Sequence, residues 1–465
     1  SGAQAEAAGD LQVSYHAGLV SAREEKALGV NVNFDPCVDI LYNWRNTIVN
    51  TRAYGTDAET VIKYTNAYLD GLTAENGENM EDGVIQCIKH FPGDGTEERD
   101  QHLVLGVNEL SPEEWRASFG KVYQNHIDRG VEMIMAGHIA VPALQKELNS
   151  ALEDKDIMPA TLAEELIQDA LKTELGFNGL VITDATHMLG MTSAMRREDY
   201  VPKSIAAGCD MFLFFNNIEE DFGFMLKGYQ NGVITEERLT DALRRILGLK
   251  AKLHLPEKQA NGTLLRTRED LNVIGCEEHL QWRAEAADKG ISLIKDTQNN
   301  LPINPVDHKR IRLYMLEGEK GGITDNGSKA QQLFVDELTK RGYEVTVNER
   351  GSRVKGATLK YRDEVDFALE VADIAGYGAQ NNYRIQWSTA MANEVPWFVW
   401  EVPHAFVSLN FTTHLHDATM VKTFVNAYHN NEETIKQVID KLEGKSEFKG
   451  GHNDLVWTDK WQAKL

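Results

Sequence analysis

From about residue 10 to residue 250, short apolar runs ending in small or polar residues alternate with longer amphipathic stretches. Such alternation predicts parallel strands joined by crossover helices: a strand covered on both faces reads as a continuous apolar run, and a helix laid on the sheet keeps one polar side. Strands are expected at residues 30–40, 84–91, 131–137, 179–184 and 210–215. Helix starts are legible as well. In Thr56-Asp57-Ala58-Glu59 a hydroxyl and a carboxylate three residues apart can each satisfy an orphan backbone N–H, and Ser111-Pro112-Glu113-Glu114 adds a proline at the first helical position. A third helix opens at Ala160-Thr161-Leu162 and stops at Gly176.

Residues 254–266 break the pattern with turn formers and charges, which marks a linker. After a helix at residues 276–289, strands are expected at 291–294, 311–316, 344–347 and 397–402, with helices at 329–341 and 420–429. This reads as a second α/β unit with an open sheet. The expected division is a first unit over residues 1–253, a linker and connecting helix over 254–285, and a second unit over 286–465.

Composition narrows the function classes. At 465 residues the chain is too long for one ordinary core, and its 42% hydrophobic and 26% charged content is that of a soluble globular protein. With 71 acidic against 48 basic residues the formal charge is −23, which repels phosphate backbones and argues against nucleic acid as a partner. No apolar run approaches the roughly 20 residues that cross a bilayer, so no membrane partner is expected. The opening residues lack the basic flank and apolar stretch of a signal peptide, which points to the cytoplasm; Ser1 is not a methionine, so a trimmed export signal is compatible too. Cys37, Cys87, Cys209 and Cys276 lie far apart, three of them in apolar runs, and are expected as buried free thiols.

The densest polar segment, Lys89-His90-Phe91-Pro92-Gly93-Asp94-Gly95 running on to Asp100-Gln101-His102, follows an expected strand. Loops beyond the carboxyl ends of parallel strands line the ligand cleft, so a site is sought there. Asp100 and His102, two apart, can meet on one side of an irregular loop, where a carboxylate fixes the imidazole tautomer and raises its pKa into a range useful for proton transfer. A merely solvated loop has the same composition. Residues 176–184, GFNGLVITD, form a buried-strand run that ends in a lone acid, Asp184. Rigid backbone at a strand end suits a nucleophile, and equally suits a residue that only caps the next segment. Arg52 and Lys89 can hold hydroxyl groups or form ion pairs; His138 and His187 read first as structural, and with Asp94 and Asp184 they form an alternative metal set. No H-E-x-x-H, C-x-x-C, G-x-G-x-x-G or phosphate-loop spacing occurs, so no metal and no nucleotide cofactor is expected.

Residues 89–102 and 176–184, in this order and separation, resemble glycoside hydrolase family 3, in its β-N-acetylglucosaminidase branch. The segment Lys89 to Gly95 matches K-H-[FI]-P-G-[DH]-G, and Asp100-Gln101-His102 matches the D-x-H that marks the branch. Residues 29–40, 50–52, 175–184, 206–214 and 290–302 are also similar to that family, so the likeness spans nearly the whole chain. The resemblance implies a (β/α)8-type TIM barrel followed by a smaller α/β/α sandwich domain. It implies Asp184 as nucleophile, His102 paired with Asp100 as acid and then base, and Arg52, Lys89 and His90 as ligands of sugar hydroxyls. The activity implied is that of a retaining exo-β-N-acetylglucosaminidase, a β-N-acetylhexosaminidase acting on a small carbohydrate with terminal N-acetylglucosamine. Neutral imidazole does not repel an anion, so phosphorolysis is the alternative. The family carries further barrel strands, and a sugar-binding aspartate, ahead of the segment that aligns with residues 1–8. An open barrel edge is therefore expected, completed by a homo-oligomer or another chain, or else leaving an inactive carbohydrate-binding protein.

Overall fold

The computed structural model describes residues 1–77, 80, 83–318, 328–354, 356–374, 384–456 and 460–465. The apolar runs Ile85–Phe91, Met133–Ala136 and Leu180–Thr183 are the central strands of a parallel sheet, with the two-residue strand Val32–Asn33 beside Ile85–Phe91. Val32 pairs with Ile85, Cys87 with Met133 and Ile134 with Val181. Alternate residues of these strands, among them Ile85, Cys87, Met133, Met135, Leu180 and Ile182, join Leu253 in one buried cluster.

Two expected strands are shorter than the pattern suggests. In 30–40 the ladder stops before Pro36, which has no N–H to donate; beyond it the chain keeps only a bridge from Cys37 to Lys89. In 210–215 only Met211 bridges to Ile182, because the Thr183 hydroxyl oxygen accepts the Leu213 N–H at 2.9 Å and Phe214 turns to a left-handed φ of 57°. Among the described residues the sheet ends at Val32–Asn33 on one side and, on the other, at Leu180–Thr183 with the single Met211 bridge beyond it.

The helices start nearly where expected. Asp57, not Thr56, caps Ala58–Thr73 by accepting the Thr60 N–H at 2.9 Å, while Ser111 and Glu114 form the expected reciprocal box ahead of Pro112–Trp115. The helix Glu165–Glu174 follows a tight turn at Ala160–Leu162 and ends before Gly176, whose φ is 71°. Residues 254–266, expected as linker, contain the short helix Leu255–Ala260.

The chain divides into two units, Leu11–Leu280 and Ser1–Asp10 with Gln281–Leu465. In the second, six strands lie in the order Ser292–Asp296, Thr423–Asn426, His404–Ser408, Phe367–Asp373, Arg310–Glu317, Glu344–Val347, parallel except for the first. Helices Ala330–Lys340 and Glu432–Leu442 pack against its core. Two expectations fail here. Residues 420–429 are not a helix: Thr423–Asn426 is a strand, and Phe424 stacks on Phe406 of the neighbouring strand with ring centroids 5.1 Å apart. Residues 397–402 form turns instead of a strand; Phe398 stacks on Tyr314 at 4.9 Å, and the strand begins only after Pro403, at His404. The architecture is thus a TIM-like parallel α/β unit and a separate α/β sandwich.

Candidate active site

Asp184 leaves the carboxyl end of Leu180–Thr183 with its N–H bonded to the Ala136 carbonyl at 2.8 Å, and its Oδ1 accepts the Ala185 N–H at 2.7 Å. Burial alone would raise its pKa. His90 and His102, with the Ala185 N–H, outweigh that and hold the carboxyl below the usual range, so it is ionised at neutral pH. The same interactions place these two imidazoles around this carboxylate.

His138 is a positioning group. Burial depresses its pKa despite the nearby Asp184, so the ring is neutral; Nε2–H donates to the Ala185 carbonyl at 2.9 Å and Nδ1 accepts the Thr161 hydroxyl at 2.9 Å. It therefore fixes the peptide whose N–H holds Asp184.

Residues 100–102 bring the proton carrier. Asp100 is fully buried, and its Oδ1 accepts both the His102 Nδ1–H at 2.6 Å and the His102 backbone N–H at 2.9 Å. That fixes the tautomer and leaves Nε2 available, on a side chain 34% exposed. Burial lowers the His102 pKa, but the bond to Asp100 and the charges of Asp100 and Asp184 prevail and raise it above the ordinary imidazole value. The loop is tied to the segment after Asp184: the Leu189 N–H donates to His102 O at 3.0 Å, Gly190 N–H to Gln101 O at 3.1 Å, and His138 N–H to Gln101 Oε1 at 2.7 Å. Gly190 permits this approach, since a Cβ there would lie 2.8 Å from Gln101 O and from His138 Cβ.

A third group comes from the strand ends Val32–Asn33 and Ile85–Phe91. His90 Nδ1–H donates to Asp39 Oδ2 at 2.7 Å, and Nε2 faces the Arg52 guanidinium at 3.3 Å. Arg52 feels the carboxylates of Asp35, Asp39 and Asp184, and half-buried Lys89 lies 3.8 Å from Asp35. Burial would raise the Asp39 pKa, but the charge and hydrogen bond of His90 hold it low, whereas burial and the Asp39 charge push Asp94 up.

All six residues singled out from the sequence fall in this neighbourhood, and the structure adds two. Asp39, which sequence reasoning missed, orients His90; its only signal was a lone acid in the apolar run PCVDIL. Cys37 donates to Asp39 Oδ2 at 3.1 Å. Donor atoms of Cys37, Asp39 and His90 lie within 4.8 Å of one another. That set suits a cation poorly, because Cys37 and His90 both spend their protons on Asp39 and the fixed charge of Arg52 stands beside them. Cys37, Cys87 and Cys209 are buried free thiols, and Cys276 is partly exposed. Among the described residues no helix is long and apolar enough to cross a membrane.

An ionised strand-end acid, a carboxylate-bound imidazole and a basic cluster can together perform displacement at a carbon centre with proton transfer to the leaving group. Known proteins share this framework. A β-N-acetylglucosaminidase/β-glucosidase of Cellulomonas fimi is 40% identical over 454 residues, 97% of this chain and 78% of that protein. β-Hexosaminidase A of Pseudoalteromonas piscicida is 27% identical over 300 residues, 62% of this chain and 48% of its own length. Among solved structures the β-glucoside phosphorylase BglX aligns with a TM-score of 0.92 at 37% identity, over 100% of this chain and 81% of the other. A β-N-acetylglucosaminidase of Paenibacillus sp. FPU-7 shares the fold, with a TM-score of 0.76 at 22% identity over 97% of this chain and 81% of its own. Residues 3–249, which hold every side chain of this site, match the model of the glycosyl hydrolase family 3 N terminal domain, and with the Cellulomonas likeness running to nearly the full length, the chain belongs to glycosyl hydrolase family 3.

Proposed function

We propose that the chain is a retaining exo-β-N-acetylglucosaminidase that releases a terminal β-linked N-acetylglucosamine in two displacements. The observation that carries the reading is the pairing of an Asp184 held ionised with a His102 whose pKa Asp100 raises. Asp184 attacks the anomeric carbon while His102, protonated, gives its Nε2 proton to the departing oxygen. The bond to the leaving group breaks, a covalent glycosyl-enzyme forms, and His102 is left neutral. In the second step His102 takes a proton from water as the water attacks the same carbon, and Asp184 departs as carboxylate. Arg52, Lys89 and His90 hold hydroxyls of the sugar being transferred, with His90 braced by Asp39.

A second reading is supported by the 37% identity to a β-glucoside phosphorylase. An imidazole in the base position, unlike a carboxylate, does not repel phosphate, so phosphate can take the place of water. One assay decides among these. A chromogenic β-N-acetylglucosaminide incubated with and without inorganic phosphate gives free N-acetylglucosamine if hydrolysis is the reaction, and the sugar 1-phosphate with a faster turnover if phosphorolysis is. Absence of turnover in both would leave a carbohydrate-binding protein without activity.

A further inference from the structure

Gln101 stands between the two residues assigned to proton transfer, and it is 1% exposed. Glu98 and Arg99, just before it, are exposed, so the loop turns inward at this point. Its Oε1 accepts the His138 N–H at 2.7 Å, a donor that lies beyond the end of the strand Met133–Ala136. Its Nε2 is buried and meets no acceptor among the described residues. An unmet donor costs stability, and an apolar side chain of this length would avoid that cost, so packing does not account for an amide here. The bond to His138 does.

Two glycines make room for this residue. A Cβ at Gly137 would lie 3.2 Å from Gln101 Oε1, and one at Gly190 would lie 2.8 Å from the Gln101 carbonyl oxygen. Gln101 is thus held through its side chain by the residue after one strand and through its backbone by the segment after Asp184. The bonds continue to the reacting groups. The His138 ring donates from Nε2–H to the Ala185 carbonyl at 2.9 Å, and the Ala185 N–H donates to Asp184 Oδ1 at 2.7 Å. One residue therefore joins the loop that carries His102 to the peptide that holds Asp184. We infer that Gln101 is a positioning residue that sets the His102 imidazole at its working place relative to Asp184, so that the acid is in position before substrate arrives. Proton transfer needs heavy atoms within hydrogen-bond reach, and a loop displaced by about an ångström loses much of the benefit of its acid.

The inference rests on the glycosidase reading, and the test separates the two. Gln101→Met removes both polar atoms at nearly equal length. The measurement is kcat/KM, with inorganic phosphate present, on a β-linked N-acetylglucosamine disaccharide, whose leaving group needs a proton, and on the dinitrophenyl glycoside, whose leaving group does not. Positioned general acids contribute about 10²- to 10⁴-fold, so the variant should lose about 30-fold on the disaccharide and less than about threefold on the aryl glycoside. In a protein already carrying His102→Ala the same change should cost less than about twofold on either substrate, because no imidazole is left to position. Gln101→Glu, which keeps an acceptor at the same reach, should recover most of the loss. Gly190→Ala, whose Cβ must push the loop away, should reproduce the selective loss, and it carries the test if Gln101→Met does not fold. Equal losses on the two substrates, or an undiminished loss in the His102→Ala background, would overturn the positioning role and leave Gln101 a structural partner of His138, with the glycosidase reading intact. An unaltered protein that turned over neither substrate would overturn that reading, and the inference with it.

Discussion

Asp39, in the loop that follows the edge strand of the first unit, and Glu370, on an inner strand of the second unit's sheet, are both buried carboxylic acids, 0% and 1% exposed, and their surroundings treat them in opposite ways. Asp39 receives four donors: the His90 ring, the His90 and Asp94 backbone N–H groups, and the Cys37 thiol. Burial would raise its pKa, but His90 and these donors bring it down to about 2. Glu370 lies on the face with Tyr314 and Phe406 as register partners, and among the described residues neither of its oxygens meets a donor. Burial, reinforced by the Glu394 carboxylate, pushes its carboxyl far above the usual range. Depth alone does not mark a working acid. Donors do, because they decide which protonation state the fold keeps.

The largest effect that sharpens the contrast is on Asp184, which is kept ionised in the same manner as Asp39. Asp184→Asn removes the nucleophile and should lower kcat by on the order of 10⁴-fold or more, with no attachment of a fluorosugar label detectable by intact mass. Label found on the variant would mean that another residue forms the covalent bond.

His102→Ala comes next. General acid catalysis contributes about 10²- to 10⁴-fold, and the loss should fall on substrates with poor leaving groups, since nitrophenolate departs with little protonation. Equal losses on both kinds of substrate would remove His102 from proton transfer.

Asp39→Ala attacks the comparison directly. It strips a buried group from four donors and leaves His90 without its brace, so urea unfolding should show the first unit losing about 3–5 kcal/mol, with kcat/KM falling as well. An unaffected midpoint would mean that the network is dispensable and that the donor count carries no weight.

How much of this was legible follows the same line. Asp184, Asp100 and His102 stand out in the sequence because their signals are local: an acid that ends a buried run, and a three-residue D-x-H. Ile85–Phe91, Met133–Ala136 and Leu180–Thr183 were legible for the same reason, being continuous apolar runs. Asp39 was not, since its meaning lies in His90 and Asp94, more than fifty residues away. Phe367–Asp373 escaped notice although all seven residues are buried, because Glu370 and Asp373 interrupt its apolar pattern. At residues 420–429 helical spacing lost to the cross-strand stacking of Phe424 on Phe406, a tertiary contact that no local window contains.

Glu370 supplies the smallest effect and the cleanest sign. A buried carboxyl without partners costs the fold, so Glu370→Met, of similar length and apolar, should leave stability unchanged or raise it by about 1–3 kcal/mol in urea unfolding. The pH dependence fixes the cause. The unfolded carboxyl titrates near its ordinary value of 4.5, whereas the folded one stays protonated well above that, facing Glu394, Tyr314 and Tyr361. Above pH 4.5 the native state thus binds the extra proton, and this group's contribution to stability falls as pH rises. Asp39 runs the other way: its contribution is complete above 3.8 and disappears on acidification through about 2. The advantage of Glu370→Met over the natural residue should therefore widen between pH 5 and pH 8. An advantage that stayed flat across that range would mean that the Glu370 carboxyl titrates alike in the folded and unfolded chain, and the opposition between the two buried acids would then lose its physical basis.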